Sequence, residues 1–422
     1  MRTSFRPTVI AVLALLAASC SSSATTSAPS TAAETASVPT TTMDSATTVE
    51  STTLMDANTT DAPTTTEVPS TTTTTIDAAT LTQAYTEAGP YPVGVTTAAL
   101  ANGIKVEIWY PAAAGSSGTE TYDVRDFTAP AIKAILTADI PATYSYAAAR
   151  DAAVADGTFP VVLNSHGFSG IRVGSSFLTS HLASWGMIVV SPDHPTRDLY
   201  HAVAQIAPDV VTAPADDLLG SLDLITAKGS TPRDPFDGHV DTDHVGALGH
   251  SAGGGTVLQA ALDPRVDGYV SMASGLLHDA PATTDLPDKP SFFLSGALDG
   301  VVDPVRTHDA FLAVPAPSLF WRIDGVGHNG FDDFCTFGNG TGIIGIAEAS
   351  GLGPLLDSQP QFRTLGQDGC VAPAVPVTTT FPIIDHAVTA FFRHLFGVDA
   401  QSVGLGPEAG HAYAEPVAIE QR

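Results

Sequence analysis

The stretch 244–262 constrains the fold more than any other part of this sequence. It opens with a short apolar segment, 244–248, and continues through Gly249-His250-Ser251-Ala252-Gly253 into small and apolar residues with a helical pattern. A strand that turns sharply into a helix leaves little room at the turn, so glycines on both sides of Ser251 keep Cβ atoms out of the crowded backbone. The pattern predicts a strand, a strained turn that exposes the Ser251 hydroxyl, and a helix whose N-terminus lies beneath that hydroxyl.

Segments typical of strands and helices alternate over most of the remaining sequence. Apolar or alternating segments predict strands at 93–100, 104–110, 159–164, 187–190, 269–272, 291–294 and 319–323. Helical spacing predicts helices at 176–185, 215–227 and 381–395, with weaker ones at 129–138 and 145–154. This order favours an α/β fold with a mostly parallel central sheet flanked by helices, and it places functional residues at the carboxyl ends of the strands.

The first 20 residues have the features of an export signal. Arg2 and Arg6 precede an apolar run, 9–16, which is followed by small residues and then Cys20. This order resembles a bacterial lipobox, and the resemblance implies cleavage before Cys20 and lipidation of its thiol. Ordinary signal cleavage nearby, with release of the protein, is the alternative. We therefore expect an exported protein, either a cell-surface lipoprotein or a secreted one, whose contact with the membrane is the lipid anchor.

Composition divides the rest of the chain into three parts. Residues 21–80 are mostly Ser, Thr, Ala and Pro, which cannot bury enough apolar area to offset the entropy of ordering, so we expect a disordered stalk. Residues 81–400 contain the alternating segments and form the expected catalytic domain. Residues 401–422 are expected to be a C-terminal tail.

Charge and cysteine content exclude several classes of partner. The chain has 17 Lys and Arg against 44 Asp and Glu, a formal net charge of −27, which argues against nucleic acid as a partner. No Cys/His spacing typical of zinc occurs, and we expect neither a metal nor a cofactor. Besides Cys20 the sequence contains Cys335 and Cys370, which in an oxidising compartment predict a disulfide; two separate buried thiols are the alternative.

An activated serine requires a base, and the base requires an orienting acid. Downstream of Ser251, the strand at 291–294 leads to Asp299 and Asp303; we select Asp299 as the acid, and Asp303 could instead cap the next helix. The strand at 319–323 leads into a Gly-rich loop that contains His328, the predicted base. The order Ser, acid, His is that of one large class of α/β enzymes.

The same chemistry requires N–H donors for a developing oxyanion. We assign this role to the backbone N–H groups of Phe168, in the loop after the strand at 159–164, and of Ala252, which follows the serine. We expect the Phe168 ring to form an apolar wall beside these donors. Of the other histidines, we expect His250 to face away from the reacting centre, and His278 is a weaker candidate for the pocket.

Four segments carry a resemblance to secreted α/β-hydrolases: 89–94, 108–111, 165–168 and 249–254. In pattern the chain most resembles platelet-activating-factor acetylhydrolase-like esterases, and its serine, acid and histidine segments resemble those of bacterial cutinase-like polyester hydrolases. The segment 335–370 is longer and richer in glycine than expected for the cutinase-like enzymes. Serine at the turn argues against dienelactone hydrolase chemistry, which uses cysteine there.

The resemblance implies an α/β-hydrolase fold and a carboxyl-ester hydrolase that works through an acyl-enzyme. His328 would take the proton of Ser251, and Asp299 would orient the imidazole and stabilise its charged form. The substrate would be a small-molecule or polymeric ester. Two alternatives remain open at this point: amide or peptide hydrolysis by the same three residues, and a non-catalytic surface module that uses the fold for binding.

Overall fold

The computed structural model describes residues 81–276, 286–358 and 360–422. The predicted signal peptide with Cys20, the predicted stalk and His278 lie outside the described residues. No helix in the described part of the chain is long and apolar enough to span a membrane.

The central feature of the structure is one large sheet. Within the described residues ten strands form it, in the order β12-β11-β10-β9-β8-β6-β7-β2-β1-β5, and β3 pairs with β4 in a separate two-stranded sheet. The strands are β1 Val93–Ala99, β2 Lys105–Pro111, β3 Thr119–Asp123, β4 Thr143–Ala147, β5 Ala149–Arg150, β6 Phe159–Ser165, β7 Ile188–Pro192, β8 Val240–His250, β9 Gly268–Met272, β10 Ser291–Gly296, β11 Ser318–Ile323 and β12 Val417–Gln421. Neighbours from β7 through β6, β8, β9 and β10 to β11 pair in parallel, so their carboxyl ends meet at one edge.

Helices cover both faces of this sheet. They are α1 Pro130–Lys133, α2 Ser176–Ser184, α3 Leu199–Ala204, α4 Pro214–Gly229, α5 Ala252–Ala260, α6 Pro304–Ala313, α7 Phe337–Gly340, α8 Gly342–Ala349, α9 Gly353–Ser358, α10 Pro360–Gln367 and α11 Val377–Leu395, with 3-10 turns at Val124–Phe127, His328–Phe331 and Pro407–His411. Successive strand residues point to opposite faces, so Val161 joins the core under α4, α5 and α6, and Val162 joins the core under α2 and α11. Strands covered on both sides explain the continuous apolar segments that the sequence shows.

The prediction of a helix over 145–154 is wrong. Helical spacing predicts a helix here, but residues 145–147 belong to β4, in which Tyr144 and Tyr146 lie opposite β3. The Tyr146 hydroxyl accepts a hydrogen bond from the Trp109 indole at 2.7 Å, and the Tyr144 ring packs on Phe337. Tertiary contacts of aromatic residues therefore decide the local structure here. The weak helix predicted at 129–138 is reduced to α1.

The C-terminal boundary at residue 400 also needs correction. Residues 401–422 contain β12, which pairs antiparallel with β11 and so completes one edge of the sheet. This strand is only five residues long, with Ala418 between Val417 and Ile419, and such a short edge strand is hard to distinguish from a tail.

Candidate active site

Ser251 lies at a strained turn between β8 and α5. Its backbone has φ 56° and ψ −125°, a conformation that costs a non-glycine residue energy and that the surrounding structure must enforce. A Cβ on Gly253 would lie 1.9 Å from the Ser165 carbonyl oxygen, and one on Gly249 would lie 2.3 Å from the Gly253 oxygen. The glycines on both sides of Ser251 are therefore required by direct steric contact, as the sequence pattern predicts.

The structure brings His328 and Asp299 to this serine in one hydrogen-bonded chain. His328 Nε2 lies 2.9 Å from Ser251 Oγ, and His328 Nδ1 lies 2.9 Å from Asp299 Oδ2. A carboxylate only accepts, so Nδ1 carries the ring proton and Nε2 accepts from the serine hydroxyl. The second Asp299 oxygen accepts from the N–H groups of Val301 and Val302 at 2.9 and 2.8 Å, which fixes the carboxylate in place.

Asp303, the alternative acid, has another position. It is the N-cap of α6, where its side chain accepts a hydrogen bond from the Val305 N–H at 3.0 Å. Both His328 and Asp299 are buried, whereas Ser251 is half-buried at the surface of the site. The geometry therefore favours Asp299 as the partner of the histidine.

The loop after β6 passes directly over the serine. A Cβ on Gly167 would lie 3.0 Å from the Ser251 Cβ and 3.6 Å from its Oγ, so the loop backbone approaches the hydroxyl closely. Phe168 follows, with 49% of its surface exposed. Within the described residues, no acceptor is bonded to the N–H of Phe168 or to that of Ala252. Both predicted donors are thus available beside Ser251 to a ligand oxygen.

His166 stabilises the peptide group that contains the Phe168 N–H. The His166 Nε2 atom accepts a hydrogen bond from the His194 N–H at 3.1 Å, so Nδ1 carries the proton and donates to the Gly167 carbonyl at 2.8 Å. Burial holds the pKa of His166 well below its usual value, and the positive charge of nearby groups acts in the same direction. The neutral ring therefore keeps this one tautomer.

The prediction that His250 faces away from the reacting centre is wrong. Its Nε2 donates to the His328 carbonyl at 3.0 Å, its Nδ1 lies 3.4 Å from Asp332, and its ring centroid is 4.7 Å from that of His328. The reason is that the loop after β11 folds back over the end of β8. His250 thus supports the backbone of the candidate base.

Asp368 is a residue of the site that the sequence did not reveal. One carboxylate oxygen accepts the His328 N–H at 2.6 Å and the other accepts the Gly300 N–H at 3.0 Å, so one side chain joins the loop of the base to the turn of the acid. Its own carbonyl accepts from the Asn329 N–H at 2.9 Å. The available signal was its position two residues before Cys370.

Cys335 and Cys370 are joined by a disulfide, as predicted. Cys335 follows the turn that contains His328, and Cys370 follows Asp368. The bridge therefore encloses the insertion of α7 to α10 and fixes both ends of it beside the candidate base.

Comparisons with known proteins find similarity to ester hydrolases. Residues 146–313 match the family model described as PETase, PET hydrolase-like, a range that contains Phe168, Ser251 and Asp299 but ends before His328. A bis(hydroxyethyl) terephthalate hydrolase of Streptomyces coelicolor (strain ATCC BAA-471 / A3(2) / M145) is 31% identical over 154 residues, 36% of this chain and 44% of that protein. The match thus spans less than half the length of the curated relative.

A solved structure confirms the predicted fold. The ferulic acid esterase from Streptomyces cinnamoneus aligns with a TM-score of 0.54 and 19% identity, over 79% of this chain and 98% of that chain. At this level of identity the likeness establishes the fold. The family match and the Streptomyces coelicolor relative confirm the resemblance to polyester hydrolases that the serine and acid segments carry.

Proposed function

We propose that this chain, an α/β-hydrolase related to the ester and polyester hydrolases, is an exported serine hydrolase that cleaves carboxylic esters through an acyl-enzyme. The observation that carries the proposal is the continuous chain from Ser251 Oγ through His328 to Asp299, with both contacts at 2.9 Å. At the serine end of this hydrogen-bonded row lie the N–H groups of Phe168 and Ala252, which have no acceptor among the described residues. Nucleophile, base, orienting acid and oxyanion donors therefore occur together.

The reaction follows from this arrangement. Ser251 Oγ attacks the ester carbonyl carbon while its proton passes to His328 Nε2, and the carbonyl oxygen becomes an oxyanion bound by the N–H groups of Phe168 and Ala252. Collapse of the tetrahedral intermediate breaks the bond to the alcohol, which takes the proton from His328. A water molecule, activated by the same histidine, then attacks the acyl-enzyme and releases the acid. Asp299 stabilises the imidazolium in both halves.

The substrate class is proposed from the relatives and from the exposed ring beside the donors. The names of the similar proteins specify terephthalate and ferulate esters, both of which carry an aromatic acyl group. Phe168 exposes about half of its surface at the mouth of the site, where an aromatic acyl or alcohol group would pack against it. We propose aromatic carboxylic esters, as small molecules or as chain ends of a polymer, as the substrates.

The test is activity on a p-nitrophenyl ester together with labelling by a fluorophosphonate. Ser251→Ala should abolish both, with a loss in kcat on the order of 10⁶. Asp299→Asn should lower kcat about 10⁴-fold because the amide favours the wrong tautomer of His328. The matched control, Asp303→Asn, should keep the activity of the wild type, since asparagine also caps helices.

Four outcomes would contradict the proposal. Retained turnover in folded Ser251→Ala would exclude this serine as the nucleophile, and reversed effects of the two aspartate variants would exclude Asp299. Faster cleavage of a matched amide than of the ester would make the chain an amidase. Wild-type protein that neither turns over nor is labelled would indicate a binding module.

A further inference from the structure

Arg197 lies in the loop between β7 and α3, beneath the turn that contains Ser251. Only 9% of its surface is exposed. Nη1 donates to the Ala252 carbonyl at 3.1 Å and to Thr256 Oγ1 at 2.7 Å, and Nη2 donates to the His166 carbonyl at 2.7 Å and to Ser165 Oγ at 2.8 Å. All four hydrogens of the two Nη atoms therefore have acceptors.

These contacts reach both halves of the proposed oxyanion hole. Nη1 holds the carbonyl of Ala252, the residue that supplies one donor N–H. Nη2 holds the carbonyl of His166, two residues before Phe168, and the backbone carbonyl of Arg197 accepts the Ser169 N–H at 2.8 Å, one residue after Phe168. The Phe168 peptide is thus fixed on both sides by one residue, which also fixes Ala252.

The buried guanidinium charge is balanced through a chain of hydrogen bonds. Ser165 Oγ accepts from Arg197 and lies 2.9 Å from His194 Nε2, and His194 Nδ1 lies 3.0 Å from Asp217 Oδ2. The side chains of His194 and Asp217 are almost fully buried. Burial holds the pKa of His194 well below its usual value, with Arg197 acting in the same direction. A neutral histidine and a serine therefore link the positive group to the carboxylate of α4.

We infer that Arg197 is a positioning residue that sets the distance between the two oxyanion donors. The inference rests on the proposed function, because it concerns the groups that would bind the tetrahedral oxygen. Donors of this kind accelerate a reaction when they are held in place before charge develops. The planar fork of arginine can reach the two carbonyls at once, whereas the single ammonium of lysine cannot hold both in this geometry.

The experiment compares Arg197→Lys with the wild type on a p-nitrophenyl ester, with active sites counted by fluorophosphonate labelling. We expect kcat per labelled site to fall about 10- to 100-fold with KM nearly unchanged, since the lost interaction is made in the transition state. The affinity for a trifluoromethyl ketone, which forms a tetrahedral adduct, should fall by the same factor as kcat/KM. A residue with a purely structural role would lower the melting temperature and leave both quantities unchanged.

Two further variants keep the test decisive. Arg197→Gln combined with Asp217→Asn removes both buried charges, so no unpaired charge remains, and it should show the same loss in kcat. Arg150→Lys is the matched control, because Arg150 binds Glu107 and Glu120 and, in the part of the chain that the structure describes, makes no hydrogen bond to residues 165–170. It should keep the kcat of the wild type.

The outcomes separate this inference from the proposed function. Wild type without ester turnover or labelling would overturn both. If the wild type is active and the folded Arg197 variants keep kcat within about threefold of it, the role of Arg197 is overturned and the proposed function remains intact. If Arg150→Lys loses as much kcat as Arg197→Lys, the loss is not specific to Arg197 and the inference is overturned. If both Arg197 variants fail to fold, Arg197 is required for folding and the inference is also overturned.

Discussion

Asp368→Asn is the substitution that most directly tests how the candidate base, His328, and the candidate acid, Asp299, are held together. The carboxylate of Asp368 accepts the N–H of His328 at 2.6 Å with one oxygen and the N–H of Gly300 at 3.0 Å with the other. An amide has one oxygen and one NH₂ group, so only one of these N–H groups keeps an acceptor. The other N–H then faces a second donor.

The expected size of the effect follows from this geometry. A hydrogen bond to a charged group contributes about 1.5 to 3 kcal/mol, and its loss should lower the melting temperature by roughly 2 to 4 °C in a domain of this size. A displacement of about 1 Å in a reacting group can cost about 100-fold in rate. Because one of the two bonds remains, we expect a smaller movement of His328 and a loss of about 10-fold in kcat, with KM nearly unchanged.

The assay measures kcat and KM on a p-nitrophenyl ester, per site labelled by fluorophosphonate, and the melting temperature of each variant. Asp357→Asn is the matched control, since it removes an equal charge from the same insertion but breaks only an exposed pair with Arg363. It should leave kcat unchanged. If Asp368→Asn melts at a lower temperature but keeps kcat within about twofold, the side chain stabilises the insertion without positioning the base, and our reasoning is refuted.

Three further predictions concern the bridge, the anchor and a buried histidine. The Cys335→Ser/Cys370→Ser variant should lose roughly 3 to 4 kcal/mol of stability. Its effect on kcat should be less than additive with that of Asp368→Asn, because both changes act through the segment between the two cysteines; full additivity would contradict this. Membrane fractionation should be lost on Cys20→Ser, and release of unmodified wild type to the medium would argue for plain secretion. Burial lowers the pKa of His386 from 6.5 to about 4, so the unfolded chain binds the extra proton and stability falls as pH drops through this window. The loss in unfolding free energy approaches about 3 kcal/mol at the acid end of this window. His386→Gln should therefore flatten the dependence of the unfolding free energy on pH between 6.5 and 4. An unchanged slope would show that His386 does not cause it.

The three residues of the candidate triad could be located from the sequence because each follows a strand with a clear pattern. The buried parts of β8, β10 and β11 are largely apolar. These strands lie side by side or nearly so in a parallel sheet, so the residues just after them meet at one edge. Ser251, Asp299 and His328 therefore converge without any knowledge of the loops. Phe168 follows from the same rule applied to β6.

The supporting residues could not be found in this way. Arg197 and Asp368 lie in loops, and their partners are separated from them by about 30 to 70 residues in the sequence. For Asp368 the separation is 40 residues from His328 and 68 residues from Gly300. Their contacts are made largely to backbone N–H and carbonyl groups, which every residue carries, so no partner residue type marks them. A carboxylate or a guanidinium in a loop most often remains solvated, and only the tertiary structure distinguishes these two from such groups.

The two supporting residues act on opposite halves of the site. Arg197 contacts the backbone around Phe168 and Ala252, which would bind the developing oxyanion. Asp368 contacts the backbone at His328 and Gly300, on the side where the proton moves. The two share no contact residue, and neither binds a reacting side chain directly. Substitutions that share no partners usually have additive effects, so in the proposed reaction oxyanion binding and proton transfer would be positioned by separate parts of the fold.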